Sequence, residues 1–316
     1  MNGCLDEGLA ELVAEQAGTN ERLMQDGLRM PAPGAVPVER LRRARRFNPD
    51  GSQKAAIVAR AIDREMMSSH GPFTVRVFPV ENAMGLYLHF HGGGWVLGSI
   101  YEQDELLDAL ARATRLTVVT IDYPLAPEHP LEETLARAKV SAQAVIEAYG
   151  YQNVCLGGES AGAHIAVSVA LELVNEQEHA SKLRGLNLCY GLYDLSMSPS
   201  QRRAGDAFVG LSKPYLEWFY SLALPGRSAE ERRHPGVSPL YRDLTNMPAC
   251  VFSVGELDPL LDDTLFMAAR WSAAGNGTEL YVYPQAHHGF NGLGTRMADV
   301  ANTRIHGFLS NCVAST

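Results

Sequence analysis

The chain has 316 residues, 46% of them hydrophobic and 20% charged, a balance that excludes a disordered or membrane-embedded chain and fits a soluble globular enzyme. The formal net charge of -9 argues against a polyanionic partner, because phosphate backbones are held by an excess of Lys and Arg, so no nucleic acid is expected to bind. No apolar run reaches the roughly 18 residues that a membrane span needs, and stable membrane insertion is not expected.

The first ten residues, MNGCLDEGLA, carry neither a basic region nor an apolar core of the kind that targets a chain for secretion. Five cysteines, Cys4, Cys155, Cys189, Cys250 and Cys312, are scattered without a C-x-x-C pair. Three of them lie in apolar runs where a thiol packs as a small hydrophobe, and the expected location is a reduced cytoplasm.

Before Pro31 the chain reads as helix, with Leu5, Leu9, Leu12 and Val13 on one face. Pro31, Pro33, Gly34 and Pro37 break it. Arg40, Arg42, Arg43, Arg45 and Arg46, interleaved with Leu41, Ala44 and Phe47, read as the solvated face of a short helix rather than as a nucleic-acid patch. A β-rich run follows from Phe73 to Val80, then a turn at Ala83 to Gly85 and an apolar strand from Leu86 to Phe90.

From there strands and helices alternate. The runs Thr117 to Ile121, Val154 to Leu156, Leu186 to Tyr190, Cys250 to Val254 and Leu280 to Tyr283 have the rhythm of a mostly parallel sheet with crossover helices. Such sheets place their chemistry at the carboxyl ends of the strands. The gap between Tyr190 and Cys250 is too long for a simple crossover and carries Phe208, Tyr215, Trp218, Phe219 and Tyr220 at helical spacing, so it reads as an inserted lid.

Gly158-Glu159-Ser160-Ala161-Gly162 follows one strand and opens the apolar helical segment Ala163 to Val174. That is the strand–turn–helix setting of a G-x-S-x-G nucleophile elbow, where flanking glycines clear room for a serine on a tight turn. An acyl-transfer site also needs fixed donors for the oxyanion. His91-Gly92-Gly93-Gly94-Trp95 supplies them, with the N–H groups of Gly92, Gly93 and Ala161 as the three donors.

The acid and base should follow the serine in the order Asp or Glu, then His. Asp258, after the strand Cys250 to Val254, is the choice for the residue that orients the imidazole. Glu256, Asp262 and Asp263 compete, and the latter two read as capping or solvating the helix that begins there. Two histidines, His287 and His288, follow the strand Leu280 to Tyr283, and their position alone does not choose between them. His164, one turn beyond Ser160, reads as core packing.

Several motifs in this order resemble the hormone-sensitive-lipase-like family of α/β-hydrolases: HGGGW at His91 to Trp95, DYPLAPEHP at Asp122 to Pro130, GESAG at Gly158 to Gly162, SPL at Ser238 to Leu240, ELDPLLD at Glu256 to Asp262 and HGF at His288 to Phe290. The match runs from about Val75 to Phe290. It implies an α/β-hydrolase fold, a mostly parallel central sheet flanked by helices with a helical cap. On that reading residues 1–50 form an N-terminal helical cap segment, 51–190 the first part of the core, 191–248 the cap insertion and 249–316 the second part of the core.

The resemblance implies His288 as base and Asp258 as acid, a site with no metal and no organic cofactor, short-chain acyl esters as substrates, and a homodimer as a possible assembly. The expected reaction is carboxylic ester hydrolysis by a Ser160–His288–Asp258 triad, in a pocket shaped by Trp95, Phe208 and Trp218. Amidase, lactonase or carbamate hydrolase chemistry on the same site is the alternative, and a non-catalytic small-molecule receptor a more distant one. The chain departs from the family at Glu159, where Asp is commoner, at Pro124 for Arg, and at Ala163-His164 for Gly-Asn.

Overall fold

A computed structural model describes residues 7–25, 31–205 and 210–314. Two helices, α1 (Glu7–Gln25) and α2 (Val38–Arg46), precede the sheet. The strands are β1 (Ile62–Ser68), β2 (Gly71–Phe78), β3 (Gly85–Phe90), β4 (Leu116–Ile121), β5 (Val154–Glu159), β6 (Leu183–Cys189), β7 (Ala249–Gly255) and β8 (Thr278–Tyr283). Between them run α3 (Asp104–Thr114), α4 (Leu131–Tyr149), α5 (Ala161–Leu173), α6 (Gln177–Ala180), α7 (Pro199–Arg203), α8 (Lys213–Ala223) and α9 (Leu261–Ala273), and α10 (Arg296–Ala314) closes the chain.

The eight strands form one sheet in the order β1-β2-β4-β3-β5-β6-β7-β8. β1 and β2 pair antiparallel, as do β2 and β4, and every later pairing is parallel. This is the α/β-hydrolase fold that the motif order implied. β3, β4 and β5 are buried along their whole length, which is why they read as continuous apolar or small-residue runs rather than as alternation.

Side chains of α4 and α5 pack on one face of the sheet, and those of α3 and α10 on the other. α5 is buried on nearly every side, so its composition carries no polar stripe. At roughly 1.5–3 kcal/mol for each large apolar side chain removed from water, this double-sided core holds the strand ends in fixed register. The C-terminal ends of β3, β5, β7 and β8 therefore present their loops at one edge of the sheet, where this class of fold binds ligands. Among the described residues no helix is long and apolar enough to cross a membrane.

Candidate active site

Ser160 sits between β5 and α5 with φ 57° and ψ -121°, a conformation that L side chains rarely adopt and that costs on the order of 1–3 kcal/mol. The flanking glycines make it possible. A Cβ at Gly158 or Gly162 would run into the carbonyl of Phe90, so only glycine lets the elbow lie against β3. The Ser160 N–H donates to the Cys189 carbonyl at 3.0 Å, which fixes the turn from the β6 side.

His288, on the loop after β8, places Nε2 3.0 Å from Ser160 Oγ. Its Nδ1 lies 2.9 Å and 3.1 Å from the two carboxylate oxygens of Asp258. Asp258, after β7, is 3% exposed, and its Oδ1 accepts from the Leu260 N–H at 2.8 Å, so its orientation is set by backbone. Nδ1–H donating to Asp258 leaves the Nε2 lone pair facing the serine hydroxyl, the tautomer a general base needs. The Tyr190 ring meets the imidazole edge-on with centroids 4.8 Å apart.

The competitors for these positions are engaged elsewhere. His287 turns away and pairs Nδ1 with the His288 carbonyl at 2.7 Å. Glu256 accepts from the Gln285 N–H at 3.0 Å and pins the loop that carries the histidines. From α1, Asn20 Nδ2 holds the Gln285 carbonyl at 2.7 Å. Asp263 corrects the expectation of a capping or solvated residue. It is fully buried and accepts from the N–H groups of Tyr193 and Asp194, from Ser198 Oγ and from Gln201 Nε2, tying the insertion between β6 and β7 to α9.

Gly92 and Gly93 line the cavity in front of Ser160. A Cβ at Gly92 would lie 3.0 Å from the Glu159 carbonyl oxygen and 3.5 Å from Ser160 Cβ, so its backbone runs directly beside Ser160. Gly93 has φ +124° and Gly94 φ +63°, both in the region that favours glycine. Ala161 is the first residue of α5, and N–H groups of a first helical turn have no intrahelical acceptor.

The cavity has a volume of about 310 Å³. Its apolar side comes from Leu97, Leu211, Tyr215 and Phe219. Two of the expected pocket residues stand elsewhere. Trp95 has 0% exposure and points into the core, where its indole N–H donates to His164 Nδ1 at 3.2 Å. Trp218 packs against the Tyr215 and Phe219 rings behind the lining. Phe208 lies outside the described residues. The aromatic insertion does reach the cavity, through Tyr215 and Phe219 on adjacent turns of α8.

Below Ser160, Glu159 Oε2 meets His89 Nε2 at 2.8 Å, and His89 Nδ1 meets Thr120 Oγ1 at 3.0 Å. His164 is buried in the core and its Nε2–H donates to the Val237 carbonyl at 2.8 Å. The arginine-rich helix α2 keeps Arg40, Arg43 and Arg45 exposed, as a solvated face would, and departs from expectation at Arg42. Arg42 donates to the carbonyls of Val96 and Ala126 and to Glu128, and Arg45 pairs with Glu102 at 2.6 Å. Arg42 anchors α2 onto the core, while Arg45 stays exposed to water, is tied by its ion pair to the segment before α3 and lines the cavity. Nothing in the sequence distinguished them from their neighbours, because their partners lie more than fifty residues away.

Among the described residues no three His, Cys, Asp or Glu side chains gather closely enough to hold a metal ion. The family model described as the α/β-hydrolase fold matches residues 87–292. An acetyl esterase from Salmonella choleraesuis (strain SC-B67) is 32% identical over 228 residues, 70% of this chain and 70% of that one. An esterase from Pyrobaculum calidifontis superposes with a TM-score of 0.81 at 24% identity, covering 92% of this chain and 97% of that structure. An ester-hydrolase from the metagenome of Lake Arreo superposes with a TM-score of 0.80 at 25% identity, covering 96% and 98%. On the extent of the family match, on the 32% relative and on its own sheet order, this chain belongs to the α/β-hydrolase family.

Proposed function

We propose that the protein is a serine carboxylesterase of the hormone-sensitive-lipase-like kind that hydrolyses short-chain carboxylic esters. The observation that carries this reading is the continuous chain Ser160 Oγ, His288 Nε2, His288 Nδ1 and Asp258, with links of 3.0 Å and 2.9 Å, opening into a cavity beside a glycine loop. The similarity to an acetyl esterase supports the same class of bond.

In this reading His288 Nε2 takes the Ser160 proton as Oγ attacks the ester carbonyl, and Asp258 stabilises the imidazolium that forms. The oxyanion of the tetrahedral intermediate accepts hydrogen bonds from the N–H groups of Gly92, Gly93 and Ala161. Collapse returns the His288 proton to the departing alkoxide, releasing the alcohol and leaving the acyl group on Ser160. Water then gives a proton to His288 and attacks the acyl carbon. The second intermediate expels Ser160, which recovers its proton, and the carboxylic acid leaves. Tyr215 and Phe219 close the apolar side of a small cavity, which favours short acyl chains.

The test is hydrolysis of p-nitrophenyl esters from acetate to palmitate by the wild type and Ser160→Ala. Activity highest at short chains and lower by about six orders of magnitude in the variant is the expected result for a triad acting as one unit. Comparable turnover by the variant would remove Ser160 from the mechanism.

A further inference from the structure

The loop that follows β8 carries His288 and, with Gly289, Asn291 and Gly292, part of the cavity lining. It runs from Gln285 to Thr295, and α1 grips both of its ends from outside the site. Asn20 Nδ2 donates to the Gln285 carbonyl at 2.7 Å. One turn earlier on the same face of α1, Gln16 Nε2 donates to Asn20 Oδ1 at 3.1 Å, and Gln16 Oε1 accepts from Thr295 Oγ1 at 3.2 Å. Arg296, next in the chain, gives its backbone N–H to Glu15 Oε1 at 3.1 Å and its Nε–H to Glu15 Oε2 at 2.6 Å. No described residue of α1 lines the cavity.

The direction of this polar relay is forced from one end. The Gln285 carbonyl can only accept, so Asn20 turns its amide N–H toward it and its oxygen toward Gln16. Gln16 then gives its own N–H to Asn20 and presents its oxygen to Thr295, whose hydroxyl donates there while accepting from the Ala298 N–H at 3.2 Å at the start of α10. Gln16 is 0% exposed and Thr295 is buried, so reversing either amide would leave buried groups facing partners of the wrong kind.

Gln285 is where the grip bears on the chemistry. Its φ is +55°, a left-handed conformation that is uncommon for a residue with a side chain. Two residues from elsewhere in the chain hold it there, Asn20 at its carbonyl and Glu256 Oε2 at its N–H, at 3.0 Å. The turn at Gln285 sets the direction in which the backbone leads through Ala286 and His287 to His288. We propose, on the reading of His288 as the general base, that Asn20 is a positioning residue: by holding Gln285 it keeps His288 Nε2 within reach of Ser160 Oγ, and α1 acts on the reaction without touching the substrate.

The test uses the whole chain and two variants. Asn20→Asp keeps the shape of the side chain and the acceptor for Gln16 but sets a carboxylate oxygen against the Gln285 carbonyl, while Asn20→Ala removes the donor and leaves room for water. The readouts are kcat and KM for p-nitrophenyl acetate, and amide hydrogen exchange, by mass spectrometry, of peptides spanning 285–295. Exchange there should be about fivefold faster in Asn20→Ala, as expected for one lost hydrogen bond, and faster still in Asn20→Asp, with the β5 and β7 peptides unchanged. In the same order kcat should fall, about tenfold in Asn20→Ala and further in Asn20→Asp, with KM within about twofold, because the loss is in the placement of the base and not in binding. A merely structural side chain gives the reverse order, the isosteric Asn20→Asp outperforming Asn20→Ala, and that result would overturn the proposal. So would faster exchange with kcat unchanged, or no change in either readout, in a protein that hydrolyses the ester; both leave the esterase reading intact. Faster exchange of 285–295 in a protein whose wild type hydrolyses no ester would uphold the grip of α1 on the loop and overturn the esterase reading.

Discussion

Glu159 precedes Ser160, the proposed nucleophile, and is the residue at which the chain departs from its family's commoner aspartate. Its carboxylate accepts from buried His89, whose other nitrogen meets Thr120, so three strands, β3, β4 and β5, are joined beneath the elbow by side chains as well as by backbone. An aspartate would hold its carboxylate one methylene short of His89. Removing the acceptor altogether strands a buried imidazole donor, at a cost of about 1–3 kcal/mol. Glu159→Ala should therefore lower the unfolding free energy obtained from urea titration by that amount, and Glu159→Gln, which keeps a carbonyl oxygen at the same reach, should lose less than half as much. Equal losses in the two variants would mean that bulk, and not the hydrogen bond, holds the position.

At the scale of elements, the glycine loop and α8 are fitted to each other. Gly94 has φ +63°, and a Cβ there would run into the Phe219 ring, so the helix lies where this residue lacks a side chain. Gly94→Ala should force Phe219 off its site and lower kcat/KM about tenfold or more, since a misplacement of about an ångström beside the proposed oxyanion donors is costly. Phe219→Ala removes the obstacle and lengthens the apolar side of the cavity, so its ester chain-length optimum should move to longer acyl groups. Because the two residues touch, the double variant should lose less than the sum of the singles, a coupling that steady-state kinetics on the ester series measures. The strands from β3 to β7 were legible because buried parallel strands are written as short apolar runs, and the exposed edge strand β8 through its apolar and aromatic run Leu280 to Tyr283. β1 was not: Ile62–Ser68 is an exposed edge strand with four charged or polar residues among seven and no alternation to read. Ser160, Asp258 and His288 could be named because each follows a readable strand end and sits in a local motif. Trp95 was misplaced because sequence position next to a motif does not reveal which way a side chain turns. Arg45, Glu102 and Asp263 were missed or misread because their partners are 57 to 70 residues distant in the chain, beyond any local pattern.

For the molecule as a whole, burial of neutral histidines links folding to pH. His91 and His164 are both held down at about 4 by desolvation, against about 6.5 in an unfolded chain, and partial burial lowers His287 and His306 in the same direction. Below pH 6.5 the unfolded chain takes up protons that the folded chain refuses. Stability is therefore fully present above that value and is lost as the pH falls toward 4. At pH 5, some 1.5 pH units below the unfolded value, His91 and His164 each account for about 2 kcal/mol of the loss. Asp263 acts in the opposite sense. Burial pushes it up to about 6 despite its four donors, so its cost is relieved as the pH drops below 6, by about 1 kcal/mol at pH 5. The histidines outweigh it, and urea midpoints measured from pH 8 to pH 5 should be flat above 6.5 and fall below it. His164→Asn removes one of the refused protons, so the unfolding-linked uptake at pH 5 should fall by about one proton relative to wild type, whatever the substitution costs at pH 8. An unchanged slope in that variant would place the acid sensitivity outside the joint that His164 makes between Trp95 and Val237.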